Sequence, residues 1–559
     1  MKGLYYNMDN KQMAQLLFPR IDKTPADYEA MYPERNLPEG ARVTRFAPSP
    51  TGFLHFGSLF AAFVSQKAAK ASGGIFYLRI EDTDKKREVE NGISGMVNGL
   101  KDFGIIPDEG MLNETEEKGE YGPYIQSKRT PIYQAYVKSL VEQGLAYPCF
   151  MTEEEISAVR ERQEAEKELP GIYGDYAKYR GISYEEAKAK IDAGEEYVVR
   201  LLSPGKPDGK VSFKDAVKGK IEMPENILDV VLLKKDGTPT YHFAHAVDDH
   251  LMRTTDVTRG DEWISSAPIH LQLFRVLGFK APRYAHISPI MKEDAETGGK
   301  RKLSKRKDPE AAVSYYSSVG IPKEAVLEYL LTIANSNYED WKLANKNADP
   351  SEFTFSLSKM SKAGALFDLV KLTDISKNYI STLSAEEVYD KATEWAQTND
   401  EVLYRLLTED ENYAKSIFAI ERGNAKPRKD IAKWDEVKNY IAYFYDELWD
   451  RKRDMPENIS NEDIRLILET YEKLYDHDAP AENWFPTLRD MAESMGYAKT
   501  PKLYKKTPEL FKGHVGDVAG VIRAAVTGRR NTPDLYEIMQ TLGRDEVMKR
   551  ISEAIGMIG

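Results

Sequence analysis

Cysteine is almost absent: the 559 residues contain one, Cys149. A lone thiol excludes a disulfide within the chain and suits a reducing compartment. Long apolar runs are missing too, and none approaches the roughly 20 residues of a membrane-spanning helix. The opening "MKGLYYNMDNKQMAQLLFPR" lacks the apolar centre of a secretory signal, so a cytoplasmic protein is expected. Positive charge is not in excess either. The net charge is −12, which argues against indiscriminate nucleic-acid binding and leaves local basic patches as the route to RNA. The densest patch is "GKRKLSKRK", residues 299–307, with six Lys or Arg in nine positions. Taken alone, such a run is a solvated loop.

The remaining composition is that of a soluble globular protein, 30% charged and 41% hydrophobic. The length suggests about 3 to 5 structural units at roughly 100–200 residues each. Residues 1–40 have the texture of a helical cap followed by a Pro-rich connection. "ARVTRFA" then has strand character. "SLFAAFVSQKAAKAS" has helical spacing, with Leu59, Phe60, Phe63 and Val64 on one face, and the Gly pair at 73 and 74 stops it. "IFYLRIED" is a second strand. Strand, helix, strand in so short a span predicts a βαβ unit and a parallel sheet. A mixed stretch follows, with a Glu/Lys-rich helix over 152–168 and short strands at "YVVRLL" and "VSFKD". It has the character of an insertion. The β/α texture resumes near "ILDVVLLKKDGTPTYHF", where Asp-Gly predicts a hairpin. From about residue 310 onward the pattern is helical.

The stretch "RFAPSPTGFLHFGS", residues 45–58, is the first strand-to-helix loop. In an open α/β sheet, ligands collect at such loops, and a helix N-terminus favours phosphate. Pro48 and Pro50 stiffen the loop, Gly52 and Gly57 allow close backbone approach, and His55 stands just before the helix. The loop is neither a Walker sequence nor a GxGxxG dinucleotide loop.

His-x-Gly here, followed much later by "KLSKR" at 302–306, resembles the paired signatures of class I aminoacyl-tRNA synthetases. "RFAPSPTGxLHxG", "LRIEDTD" (78–84), "RGDEW" (259–263) and "KLSKR" together resemble the glutamyl-tRNA synthetases of bacterial type. So do "KAGALFDLVKLTDISKNYI" (362–380) and the terminal "IRAAVTGRRNTPDLYEIMQTLGRDEVMKRI" (522–551). The resemblance runs from about residue 42 to the end. It implies an α/β protein with a class I Rossmann-type catalytic domain over 41–145 and 231–330. An acceptor-stem-binding insertion over 146–230 would interrupt that domain. A stem-contact linker over 331–385 and an all-helical anticodon-binding domain over 386–559 would follow. Residues 1–40 form an extension outside the resemblance.

The implied activity is ATP-dependent attachment of L-glutamate to tRNA-Glu through a glutamyl-adenylate, releasing AMP and pyrophosphate. The substrate carboxylate is itself the nucleophile, so catalysis is positioning plus electrostatic stabilisation. By the resemblance, His55, Lys302 and Lys305 meet the phosphates, with Mg2+ as counterion of ATP. Pro48, Ser49, Gly57, Ser58, Glu262, Trp263 and Lys305 bind ATP. Arg45, Ala47, Ser49, Glu81, Tyr241, His245 and Arg259 bind glutamate. Within that set Glu81 takes the ammonium group, while Arg45 and Arg259 take the side-chain carboxylate, which a planar guanidinium matches in two bonds. Asp84 contacts the incoming tRNA end. Each residue also has a bland reading: Arg45 and Glu81 pair with each other across adjacent strands, and Tyr241 and Trp263 are core.

Two positions depart from the family. His245 stands where an asparagine is common. Many bacterial members hold zinc near the position of "PCFM", yet Met151 replaces the second cysteine and "YGDYAKYR" lacks the downstream pair, so no metal site is expected. Glutaminyl-tRNA synthetases usually read "PPEPNG" where this chain has "APSPTG", which favours glutamate. The short tRNA-modifying paralogues lack an anticodon region, and a small-molecule adenylyltransferase needs no long helical second half. A monomer is expected, and charging of tRNA-Gln is left open.

Overall fold

The computed structural model describes residues 2–50, 54–83, 89–294, 296–304, 306–346 and 348–558. The chain divides into two compact units, Met1–Tyr315 with Leu327–Asp368, and Tyr316–Val326 with Leu369–Gly559.

The first unit opens with α1 (Lys2–Leu17) and α2 (Pro25–Met31). The first βαβ unit is β1 (Val43–Phe46), α3 (Phe56–Lys70) and β2 (Ile75–Leu78). Then come α4 (Gly92–Asp102), β3 (Glu109–Met111), β4 (Glu117–Lys118) and α5 (Thr130–Glu142). The central stretch holds β5 (Ala146–Cys149), α6 (Glu153–Glu166), α7 (Tyr184–Asp192), β6 (Val198–Leu201), β7 (Lys210–Asp215), β8 (Gly219–Pro224) and β9 (Val231–Leu233). The second βαβ unit follows α8 (Tyr241–Leu251): it is β10 (Asp256–Gly260), α9 (Ala267–Val276) and β11 (Arg283–Ile287). A hairpin of β12 (Met291–Glu293) and β13 (Lys300–Lys302) comes next.

β1 and β2 run parallel, Val43 opposite Ile75 and Phe46 opposite Leu78. β3 continues the parallel order and β4 closes that edge antiparallel. On the other side, Val43 and Thr255 exchange bonds in both directions, each 2.9 Å. This brings β1 to the parallel pair of β10 and β11. β1 therefore stands where the strand order reverses, the place at which α/β sheets bind ligands beyond their C-terminal ends. Helix α3 is buried more broadly than a stripe: Ala62, Ala68 and Ala69 are enclosed along with Leu59, Phe60, Phe63 and Val64. Gly74 is required where the helix returns to the sheet, because a Cβ there would lie 1.9 Å from the Arg42 carbonyl oxygen.

The expected insertion contains an antiparallel sheet, β5–β6–β9, and a separate β7–β8 hairpin. The Asp-Gly turn forms, with Gly237 at φ +77 and Lys234 N–H donating to the Thr238 carbonyl. Its return arm is a single bridge from Leu233 to Pro239, because α8 starts at Tyr241 and proline has no N–H to extend the ladder. The second unit is helical, and the bridge between Ala498 and His514 is isolated. Its apolar residues gather in two clusters, one around Val388, Leu403 and Val437, the other around Leu468, Ile522 and Ile551. No helix among the described residues is long and apolar enough to cross a membrane.

Candidate active site

The loop after β1 leaves the sheet at its C-terminal end. Ala47 and Pro48 are half-buried and Ser49 is exposed, and the Pro48 carbonyl accepts from Glu81 N–H at 2.9 Å. His55 is the N-cap of α3. Its backbone is extended (φ −90, ψ 148) and its Nδ1 accepts from Gly57 N–H at 3.0 Å. A neutral imidazole that accepts at Nδ1 carries its proton on Nε2, so the ring presents a donor from the start of the helix, where the dipole favours an anion. A Cβ at Gly57 would sit 3.3 Å from that Nδ1, so the glycine leaves room for the cap. Ser58 N–H is tied to the His55 carbonyl at 2.8 Å.

The segment that follows the second signature meets the first here. His55 bridges to Ala312, and Val313 N–H donates to the Leu54 carbonyl. Asp308 ties down the basic loop just before Ala312, with Asp294 taking a further bond from Arg301 at 3.1 Å and Glu310 pairing with Lys292. Asp308 accepts two bonds from Arg301 (2.6 and 2.7 Å) and one from Ser304 N–H (2.9 Å), and Lys292 Nζ lies 3.2 Å away. The Arg301 fork and these further donors hold the Asp308 carboxyl well below the usual carboxylate range. Lys302 is exposed on β13, paired with Met291. Lys305 and Asp84 lie outside the described residues.

The second group lies beneath the loop. Arg45 on β1 reaches across to β10, donating to the Thr258 carbonyl at 3.2 Å and to Asp249 at 3.4 Å. Arg79, fully buried, donates to Asp249 at 2.6 Å and to Glu81 at 3.1 Å. Arg45 and Glu81 thus do not pair with each other: each has its own partner. Burial pushes the Glu81 carboxyl up, against the pull of Arg79 and Arg45. Burial acts the same way on Asp249, but there the two arginines win and hold it well below the usual range. Asp248 pairs with Arg129 at 2.6 Å.

Helix α8 supplies this pair of acids and, one and two turns earlier, His245 and Tyr241. His245 Nδ1 lies 2.8 Å from Asp249, and Nε2 is 3.0 Å from the Tyr284 hydroxyl. Burial lowers this imidazole to about 4, against the pull of Asp249, so the ring is neutral. Tyr241 packs on Trp263 with ring centroids 4.4 Å apart. Glu262 is exposed, its carboxylate folded over Gly260. Arg259, buried at the end of β10, donates to His286 Nε2 (3.0 Å), faces His270 Nδ1 (3.0 Å) and donates to the Trp263 carbonyl (3.4 Å). Its guanidinium also lies 4.6 Å from the Tyr284 ring centroid. None of these partners is anionic.

Buried Arg45, Glu81, His245 and Arg259 and half-buried Tyr241 and Trp263 therefore share one neighbourhood, with His55 on the loop after β1. Arg79, Asp248, Asp249, Asp215, His286 and Asp308 were not singled out from the sequence. For Asp248 and Asp249 the available signal was a pair of adjacent acids in the otherwise uncharged helix "YHFAHAVDDHL". Cys149 is buried in β5. Among the described residues no group of three His, Cys, Asp or Glu is placed to hold a metal ion.

The HxGx loop thus lies beyond the C-terminal edge of a parallel sheet, and the chain that follows the lysine-rich hairpin returns to that loop at Ala312 and Val313. Residues 42–374 match the model described as "tRNA synthetases class I (E and Q), catalytic domain", and residues 387–555 match an "Anticodon binding domain". The chain belongs to the class I tRNA synthetases of the E and Q type. It is 54% identical to the glutamate–tRNA ligase of Clostridium perfringens (strain 13 / Type A), over 97% of this chain and 100% of that protein. Identity to the glutamate–tRNA ligase of Acetivibrio thermocellus is 46%, over 98% and 100%. The crystal structure of a glutamate-tRNA synthetase from Elizabethkingia anophelis superposes with a TM-score of 0.71 at 28% identity, covering 92% of this chain and 100% of that one.

Proposed function

We propose that the chain attaches L-glutamate to tRNA-Glu, using ATP and releasing AMP and pyrophosphate. The carrying observation is the charge of the buried pocket. Arg45, Arg79 and Arg129 each pair directly with one or more of the carboxylates Glu81, Asp248 and Asp249, whereas Arg259 touches no carboxylate. Arg259 is the cation without an anionic partner. The side-chain carboxylate of glutamate gives Arg259 an anionic partner, whereas the amide of glutamine leaves that buried guanidinium without one. The relatives' activity as glutamate–tRNA ligases supports the same reading.

In the first step the α-carboxylate attacks the α-phosphorus of ATP and pyrophosphate leaves. In the second, the 2′-hydroxyl of the terminal tRNA adenosine attacks the carbonyl carbon and AMP leaves. Glu81 takes the ammonium group, and Arg45 and Arg259 take the side-chain carboxylate. Ala47, Ser49, Tyr241 and His245 complete the pocket. His55 donates through Nε2 to the phosphates, with Lys302 and Lys305 supplying charge and Mg2+ accompanying ATP. Pro48, Gly57 and Ser58 border the nucleotide, and Glu262 and Trp263 meet its ribose and adenine. Asp84 meets the tRNA end, residues 146–230 hold the acceptor stem and 386–559 the anticodon.

The test is aminoacylation with glutamate and with glutamine, each offered with tRNA-Glu and tRNA-Gln. Glutamate on tRNA-Glu is the expected product. Preferential charging of glutamine, or no charging, overturns the proposal.

A further inference from the structure

Arg259 is held by acceptors that cannot neutralise it. Its guanidinium can only donate, so His286 Nε2, 3.0 Å away, must carry a lone pair. A neutral His286 then has its proton on Nδ1, which lies 2.7 Å from Asp215 Oδ2. Asp215 is anchored in turn: it accepts from the N–H groups of Val217 (2.9 Å), Lys218 (2.8 Å) and His286 (3.1 Å). The other arm repeats the logic. His270 Nδ1 faces Arg259 at 3.0 Å, so its proton is on Nε2, which points 2.9 Å to His242 Nδ1. Burial lowers His286 and His270, the latter well below its ordinary range with His245 and Arg259 adding to the effect, so both rings stay neutral acceptors.

Resting on the reading that glutamate is the substrate, we propose that His286, fixed by Asp215, is a positioning residue. It aims Arg259 as an uncompensated cation and thereby sets the preference for a side-chain carboxylate over an amide. A carboxylate in place of His286 would orient Arg259 equally well but quench its charge. An imidazole whose far nitrogen is held by an acid orients it and leaves the charge for the substrate. The acid comes from the end of β7, 71 residues before His286, so the hairpin β7–β8 contributes to the amino-acid pocket without entering it.

The experiment compares wild type, His286→Leu, His286→Gln and Asp215→Asn in aminoacylation of tRNA-Glu with glutamate and with glutamine. Thermal unfolding serves as the folding control. His286→Leu removes the acceptor. The KM for glutamate should rise about tenfold or more, with kcat changed much less, and the ratio of kcat/KM for glutamate over glutamine should fall about tenfold. His286→Gln offers an amide oxygen to the same N–H and should recover most of that ratio. Asp215→Asn, which keeps volume and one acceptor oxygen, should shift KM and the ratio in the same direction by about threefold. A purely structural role would lower both substrates' rates together and leave the ratio unmoved. Wild-type charging of glutamate carries the proposed function. Glutamate charging by the wild type, together with folded His286→Leu or Asp215→Asn variants of unchanged ratio, overturns this inference alone.

Discussion

Replacing Asp249 by asparagine should be among the most damaging single changes in the catalytic unit. The carboxylate is fully enclosed: Arg79 donates to it at 2.6 Å, Arg45 at 3.4 Å and the hydroxyls of Tyr77 and Thr254 at 3.5 Å, and His245 Nδ1 lies 2.8 Å away. Asparagine keeps the volume but offers one acceptor oxygen and turns an amide N–H2 toward a guanidinium group that only donates. It also removes the charge that offsets two buried guanidinium groups. Breaking a buried ion pair from one side costs about 3–5 kcal/mol, and at roughly 1.4 kcal/mol per tenfold that is two to three and a half orders of magnitude in the folding equilibrium of this unit. The pH dependence follows from the lowered Asp249 carboxyl. A depressed acid contributes its stability above its unfolded value, about 3.9, and loses it as pH falls through the folded value below that. The gap between wild type and Asp249→Asn should therefore be full at pH 7 and narrow once the medium is acidified below about pH 4. Denaturant titrations at neutral and acid pH measure both. A neutral-pH difference under about 1 kcal/mol, the size of an ordinary substitution, would refute the assignment of Asp249 as the counter-charge of this pocket.

Lys305→Ala should lower glutamate activation, measured with tRNA present, by roughly 3–4 kcal/mol, a factor on the order of several hundred. It should do so without shifting thermal unfolding, and near-native turnover in a folded variant would remove Lys305 from the phosphate-binding set. Metal analysis of the purified protein should find far less than one zinc per chain, and stoichiometric zinc would show that Cys149 has partners. The affinity for tRNA should fall steeply with added salt, in proportion to the phosphates contacted. A flat response would exclude the lysine runs, including "KTPKLYKKTPELFKGH", from the RNA interface.

What was legible in the sequence is what local chemistry dictates. A histidine that caps a helix after a Pro- and Gly-rich loop is recognisable from its neighbours, and so is a strand–helix–strand unit ended by paired glycines. The parallel order of β1 and β2 and the helical texture of the second unit followed from those patterns. The partners of the charged residues did not. Asp308 sits in a run of bases and looks like one acid diluting them, yet it clamps Arg301 and fixes the loop. Asp215 ends a short exposed hairpin, and only the fold brings it to His286. Arg45 and Glu81 invite pairing as neighbours on adjacent strands, but Arg79 and Asp249 take them instead. Long-range electrostatics of this kind has no period and no spacing. It bears on the chemistry all the same, because the proposed preference for glutamate depends on which buried cation is already neutralised. Arg79 has Asp249 and Glu81, Arg129 has Asp248 and Arg45 shares Asp249. Arg259 has two imidazoles and a carbonyl, so in the proposed reading the side-chain carboxylate of glutamate is the anion that completes it.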